Sequence, residues 1–109
     1  MNSMTHIPEG YHSVTPSLTL ADAPAAMEFY KKALGAIERF RIPDERDGRI
    51  KHAEIQIGNS PFMLSSEYAG WGSAPGFGQG TVFTIYVPDC DAAFAIALEA
   101  GATAIEKPA

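Results

Sequence analysis

SVTPSLTLADAPAAMEFYKKALG, residues 13–35, is one strand feeding one amphipathic helix, and the rest of the chain is organised around it. Over residues 13–20, Val14, Pro16, Leu18 and Leu20 point one way, and Ser13, Thr15, Ser17 and Thr19 the other. Period two is the pattern of a half-buried strand. Pro16 cannot donate to a ladder, so one side of the strand is expected to be unpaired there. Asp22 supplies a carboxylate N-cap, and Pro24 falls in the first turn, where its missing N–H costs nothing. Ala26, Phe29, Tyr30, Ala33 and Ile37 recur at helical spacing, with Leu34 on the same stripe. Glu28 and Lys32 lie four apart on the other face. Gly35 provides the left-handed residue that ends the helix.

Outward from that unit, residues 36–43 form a second strand of ambiguous phase. Ala36, Glu38, Phe40 and Ile42 share one face; Ile37, Arg39 and Arg41 share the other. Asp47 and Gly48 make a hairpin tip. Residues 50–57 form a third strand, with Ala53, Ile55 and Ile57 facing a core and Ile50, His52, Glu54 and Gln56 facing away. Gly58 and Asn59 turn the chain into a fourth strand, 61–66. The unit is βαβββ, with the helix covering the apolar strand faces. Residues 1–12 have no period and read as a mobile tail that becomes ordered near Tyr11. Residues 67–80 form a loop rich in glycine, carrying Tyr68, Trp71 and Phe77. It is either a plain connector or an aromatic flap over a groove.

A fifth strand is expected over 81–87, then a helix capped by Asp89 and ended by Gly101, then the start of a sixth strand over 102–107. Cys90 falls on the apolar stripe of that helix and reads as a small buried hydrophobe. Asp22 and Asp89 are 67 residues apart, and at that offset Ala25, Ala26 and Met27 fall on Ala92, Ala93 and Phe94. Two copies of one supersecondary unit follow, residues 13–66 and 81–109, the second incomplete within this chain. The fold class is α+β, built from paired βαβββ modules.

At 109 residues, with 46% hydrophobic content, the chain has enough apolar material for one core. Its net charge of −5, without a basic run, argues against nucleic acid. No apolar run is long enough to span a membrane. A single cysteine excludes an internal disulfide and points to a reducing cytoplasm.

The order of these parts resembles the vicinal oxygen chelate superfamily, which includes glyoxalase I, extradiol dioxygenases and fosfomycin- and bleomycin-resistance proteins. More narrowly it resembles the PhnB-like branch. The carrying residues are Tyr11, His12, Ser13, Val14, Thr15 and Pro16, then 25–35, then 47–54, then 57–60. The resemblance implies modules whose strands curl around a shared cavity. Metal-dependent members hold a divalent ion with a His on the first strand, a Glu on the fourth, a His on the fifth and a Glu on the eighth. The first three positions fall here on Thr15, Met63 and Val82, none an ordinary ligand, and the fourth lies past Ala109. No metal or other cofactor is therefore expected. A divalent metal held by His52 and Glu54, two apart on one strand face and with no evident third ligand, is the lesser alternative.

The expected groove holds Thr15, Ser17, His52, Glu54, Gln56, Met63, Ser65, Val82, Thr84 and Tyr86, with Arg39 or Arg41 as a cation at the rim. Trp71 or Phe77 would stack on what it binds. Apolar contacts with a few polar anchors suit a small organic molecule. The first expectation is a metal-free binding protein. The second is a glyoxalase-related lyase, isomerase or transferase with His52 as general base held by Glu54. The third is a scaffold whose groove is filled by side chains. Unpaired strand edges and an open groove favour a homodimer.

Overall fold

The computed structural model describes residues 6–68 and 83–108. Within them the order is β1 (Ser17–Leu20), α1 (Ala23–Leu34), β2 (Ile37–Pro43), β3 (Ile50–Ile57), β4 (Ser60–Ser66) and α2 (Cys90–Glu99). The four strands form one sheet in the order β1-β4-β3-β2, with β1 parallel to β4 and the other neighbours antiparallel.

The helix forms where its punctuation stands. The Asp22 carboxylate accepts a hydrogen bond from the Ala25 N–H at 3.1 Å, and Gly35 closes the helix at φ 67°. Its buried face consists of Ala23, Met27 and Ala33, with Tyr30 partly buried beside them. Met27, which the apolar stripe read from spacing omits, is fully buried. It meets Leu18, Ile50, Ala53, Ile55, Phe62 and Leu64 in the core between helix and sheet. On the exposed side Lys31, rather than Lys32, reaches Glu28 (3.0 Å) and also Glu38 on β2 (2.7 Å).

Two bulges settle the strand phases. Glu38 pairs with Ile55 and Phe40 with Glu54, so Arg39 is an extra residue on β2. The shift puts Ile37, Phe40 and Ile42 on one face and turns Glu38 and Arg41 toward α1. Ile42 pairs with His52 and Pro43 with Ile50, so Lys51 is extra on β3. That resets the parity of Ile50, which enters the core at 1% exposure instead of lying beside His52.

Other expectations change too. The first strand is four residues rather than eight. Val14 is 78% exposed rather than core-facing, because regular pairing with β4 begins only at Ser17. Residues 83–87 and 102–107 carry no strand ladder among the described residues. A strand needs a neighbour's N–H and C=O groups, which alternation alone does not provide. Cys90 is exposed rather than buried, since α2 packs against α1 and contacts no strand of the sheet among the described residues. Among the described residues no helix is long and apolar enough to cross a membrane.

Candidate functional site

Covering one face of the sheet with α1 leaves the other open. Side chains alternate across a strand, so residues paired with one another share a face. On the open face one row crosses all four strands: Ser17, Met63, Glu54 and Phe40. Beside it on β2 and β3 lie the pairs Ile37–Gln56 and Ile42–His52, and on β1 and β4 the pair Thr19–Ser65. The edge strand thus presents an exposed apolar stripe of Ile37, Phe40 and Ile42. The adjacent strand presents a polar stripe of Gln56, Glu54 and His52.

Glu54 is the buried member, at 2% exposure. Its cover is Tyr11, whose hydroxyl donates to Glu54 Oε2 at 2.5 Å. This hydrogen bond, with burial second, raises the Tyr11 phenol above its ordinary value of 10.0. At Tyr11, where the tail was expected to become ordered, the chain is thus tied onto the middle of the sheet. Tyr11, the one aromatic ring of Phe, Trp or Tyr type in residues 1–12, was the available sequence signal for it. Gln56 accepts from Arg39 Nη1 at 2.5 Å and donates to the Gly58 carbonyl at 2.9 Å. His52 is half-buried against the Phe40 ring, with centroids 5.4 Å apart. Among the described residues it makes no hydrogen bond to Glu54, so the expected base-and-orienter pair is not formed.

The structure brings Ser17, His52, Glu54, Gln56 and Met63 onto this one face. Thr15 is half-buried just before β1. Arg41 lies elsewhere: it pairs with Glu38 (3.0 Å) and Glu28 (3.6 Å) on the helix side, opposite the groove it was expected to rim. Lys31 first and Arg41 second hold the Glu38 carboxyl below its ordinary range. Thr84 and Tyr86 are separate as well. They line a cleft of about 670 Å³ with His12, Val14, Ile57 and Phe62, none of which belongs to the Glu54 row. Trp71, Phe77 and Val82 lie outside the described residues. Phe40 and Ile42, which the ambiguous phase left unassigned to the groove, are its apolar wall.

The donor set at the superfamily's metal positions does not suit a hard divalent ion. Thr15 offers a neutral hydroxyl and Met63 a thioether, where metal-dependent members use imidazole and carboxylate. Among the described residues no group of three or more His, Cys, Asp or Glu is placed to hold a metal.

Comparisons with known proteins agree with this architecture. The family model described as Glyoxalase/Bleomycin resistance protein/Dioxygenase superfamily matches residues 11–109. An uncharacterized protein of Mycobacterium bovis, Mb0911c, is 37% identical over 99 residues, covering 85% of this chain and 64% of its own length. The Arabidopsis thaliana protein At5g48480 is 33% identical over 89 residues, covering 74% of this chain and 54% of its own length. The chain thus spans roughly half to two thirds of these relatives. Among solved structures, the At5g48480 gene product superposes with a TM-score of 0.69 at 24% identity, covering 90% of this chain and 80% of that one. TioX from Micromonospora sp. ML1 superposes at 0.58 and 20% identity, covering 89% and 79%. At those identities the likeness is one of fold.

Proposed function

Since this chain belongs to the glyoxalase/bleomycin resistance protein/dioxygenase superfamily, we propose that it binds a small organic molecule on the open face of its sheet, without the divalent ion of metal-dependent members. The observation that carries this reading is the face itself. Ile37, Phe40 and Ile42 are 61%, 40% and 50% exposed on one strand, alongside Gln56, Glu54 and His52 on the next. An exposed apolar stripe is out of place on a surface with no partner. Combined with a few convergent polar groups, it is the composition of a small-molecule site. The row supplies flat apolar contact from Phe40 and Met63 and orientation from Glu54.

The 670 Å³ cleft is the rival location by size. Its lining is mainly Val, Ile, Pro and Phe, and it holds no carboxylate, Lys or Arg among the described residues. It therefore offers volume with little to orient a ligand.

The test uses one natively purified sample. Elemental analysis should find less than about a tenth of an equivalent of divalent metal per chain. A thermal-shift screen of aromatic compounds should yield ligands whose stabilisation Met63→Trp removes, because the indole fills the middle of the row. Stoichiometric metal would overturn the metal-free part. Ligands that stabilise the Met63→Trp protein as well as wild type would move the site off this face.

A further inference from the structure

We infer that the ligand of this face carries a positive charge, and that the Tyr11 hydroxyl stands on Glu54 where the ligand's cationic group goes. The inference rests on the small-molecule reading above and names the ligand class.

Among the described residues two carboxylates are buried, Asp44 and Glu54, each 2% exposed. Their surroundings differ in a way that bears on role. Asp44 accepts hydrogen bonds from the Arg46 N–H (3.0 Å), Arg46 Nε (3.0 Å), Arg46 Nη2 (2.8 Å) and the Tyr68 hydroxyl (2.9 Å). That is a carboxylate satisfied by its own fold: two oxygens, about four lone-pair sites, all used. Glu54 accepts one hydrogen bond, from Tyr11 to Oε2. Among the described residues its Oε1 has no partner, and no Lys, Arg or His forms an ion pair with it. Burying a carboxylate is costly unless it is paired and hydrogen-bonded, so Glu54 is held with most of its capacity unspent.

The neighbours of Glu54 favour a cation as the missing partner. Phe40 faces it across the strand pair and Met63 on the other side. The Phe40 ring, with His52 against it, offers a π face to a positive group. The titratable groups facing Glu54 are Tyr11, His52 and Arg39; Arg39 donates to Gln56 and its charge reaches Tyr11, but it forms no ion pair with Glu54. The cover is local: the Tyr11 N–H bonds the Pro8 carbonyl at 3.1 Å within a turn. Tyr11 can therefore leave Glu54 without breaking the sheet. The class that fits is an amine or quaternary ammonium on a flat apolar body.

The experiment titrates the full chain near pH 7.5, where an alkylamine is charged, with three matched probes followed by fluorescence. They are 1-naphthylmethylamine, 1-naphthalenemethanol and 1-naphthoic acid. The amine should bind at least about tenfold tighter than the alcohol, and the acid weakest. Glu54→Gln should erase the preference, leaving amine and alcohol within about threefold. Tyr11→Phe should tighten the amine several-fold by removing the competing donor. It also carries the test if Glu54→Gln does not fold, since unchanged or weaker amine binding by Tyr11→Phe overturns the inference. An alcohol or acid that binds wild type as tightly as the amine overturns the charge assignment and leaves the site standing. A preference that survives Glu54→Gln overturns it as well. If none of the three binds, the charge assignment and the reading of this face fall together.

Discussion

Asp44 shows how a single residue can be misjudged from its neighbours. It sits in a polar turn of Asp, Glu, Arg, Asp and Gly, yet it is buried. It ties that turn to Tyr68, two residues past the end of β4, and Arg49 stacks on the same Tyr68 ring at 4.0 Å. The hydrogen bonds from Arg46 hold its carboxyl well below the ordinary value of 3.8. A carboxylate whose folded-state value is depressed contributes stability that is fully present above 3.8 and is lost as pH falls through the folded value. Thermal melts across the acid range should therefore show wild type losing stability below that point. Asp44→Asn should be less stable at neutral pH and should have a flatter acid limb. Parallel acid limbs in the two proteins would remove Asp44 from the acid response. Glu54 stands in contrast, buried equally and satisfied less, and sequence does not separate the two because burial and partners are tertiary.

At the scale of elements, local signals did well where the physics is local. Asp22 and Gly35 bracket α1 because a cap and a left-handed residue act on the backbone next to them. β3 and β4 emerge within a residue of the spans read from alternation and turn residues. Phase was harder. The bulges at Arg39 and Lys51 each insert one residue, so strict alternation across them assigns half the strand to the wrong face. Ile50 and the stripe of Ile37, Phe40 and Ile42 were misplaced or undecided for that reason. Met27 was missed because its side chain competes for the helix face with larger aromatics nearby, and only packing against the sheet selects it. Its full burial predicts that Met27→Ala costs about 2–4 kcal/mol in urea unfolding. A loss below about 1 kcal/mol would mean that the helix is not seated on the sheet as described.

Across the whole molecule, the repeat is visible as repeated chemistry. Asp22 and Asp89 cap their helices identically, accepting from the residue three further on at 3.1 and 3.0 Å. Past the first module the likeness is partial: α2 rests on α1, while Phe83 packs its ring on Phe62 and Tyr30. Ser17, His52, Glu54, Gln56 and Met63, expected together from alternation, do share one sheet face, because they alternate on three strands of one module. Sequence reasoning added Thr84 and Tyr86 by analogy between modules, and the described residues put those two in a separate cleft. These alternatives can be separated in one spectrum. Methyl-labelled protein, with Met and Ile δ1 groups observed, would be titrated with a stabilising aromatic compound. Binding on the open face predicts shifts at Met63, Ile37 and Ile42, with Ile57 and Ile85 at the cleft unmoved. Shifts at Ile57 and Ile85 with Met63 unmoved would contradict it and place binding in the cleft.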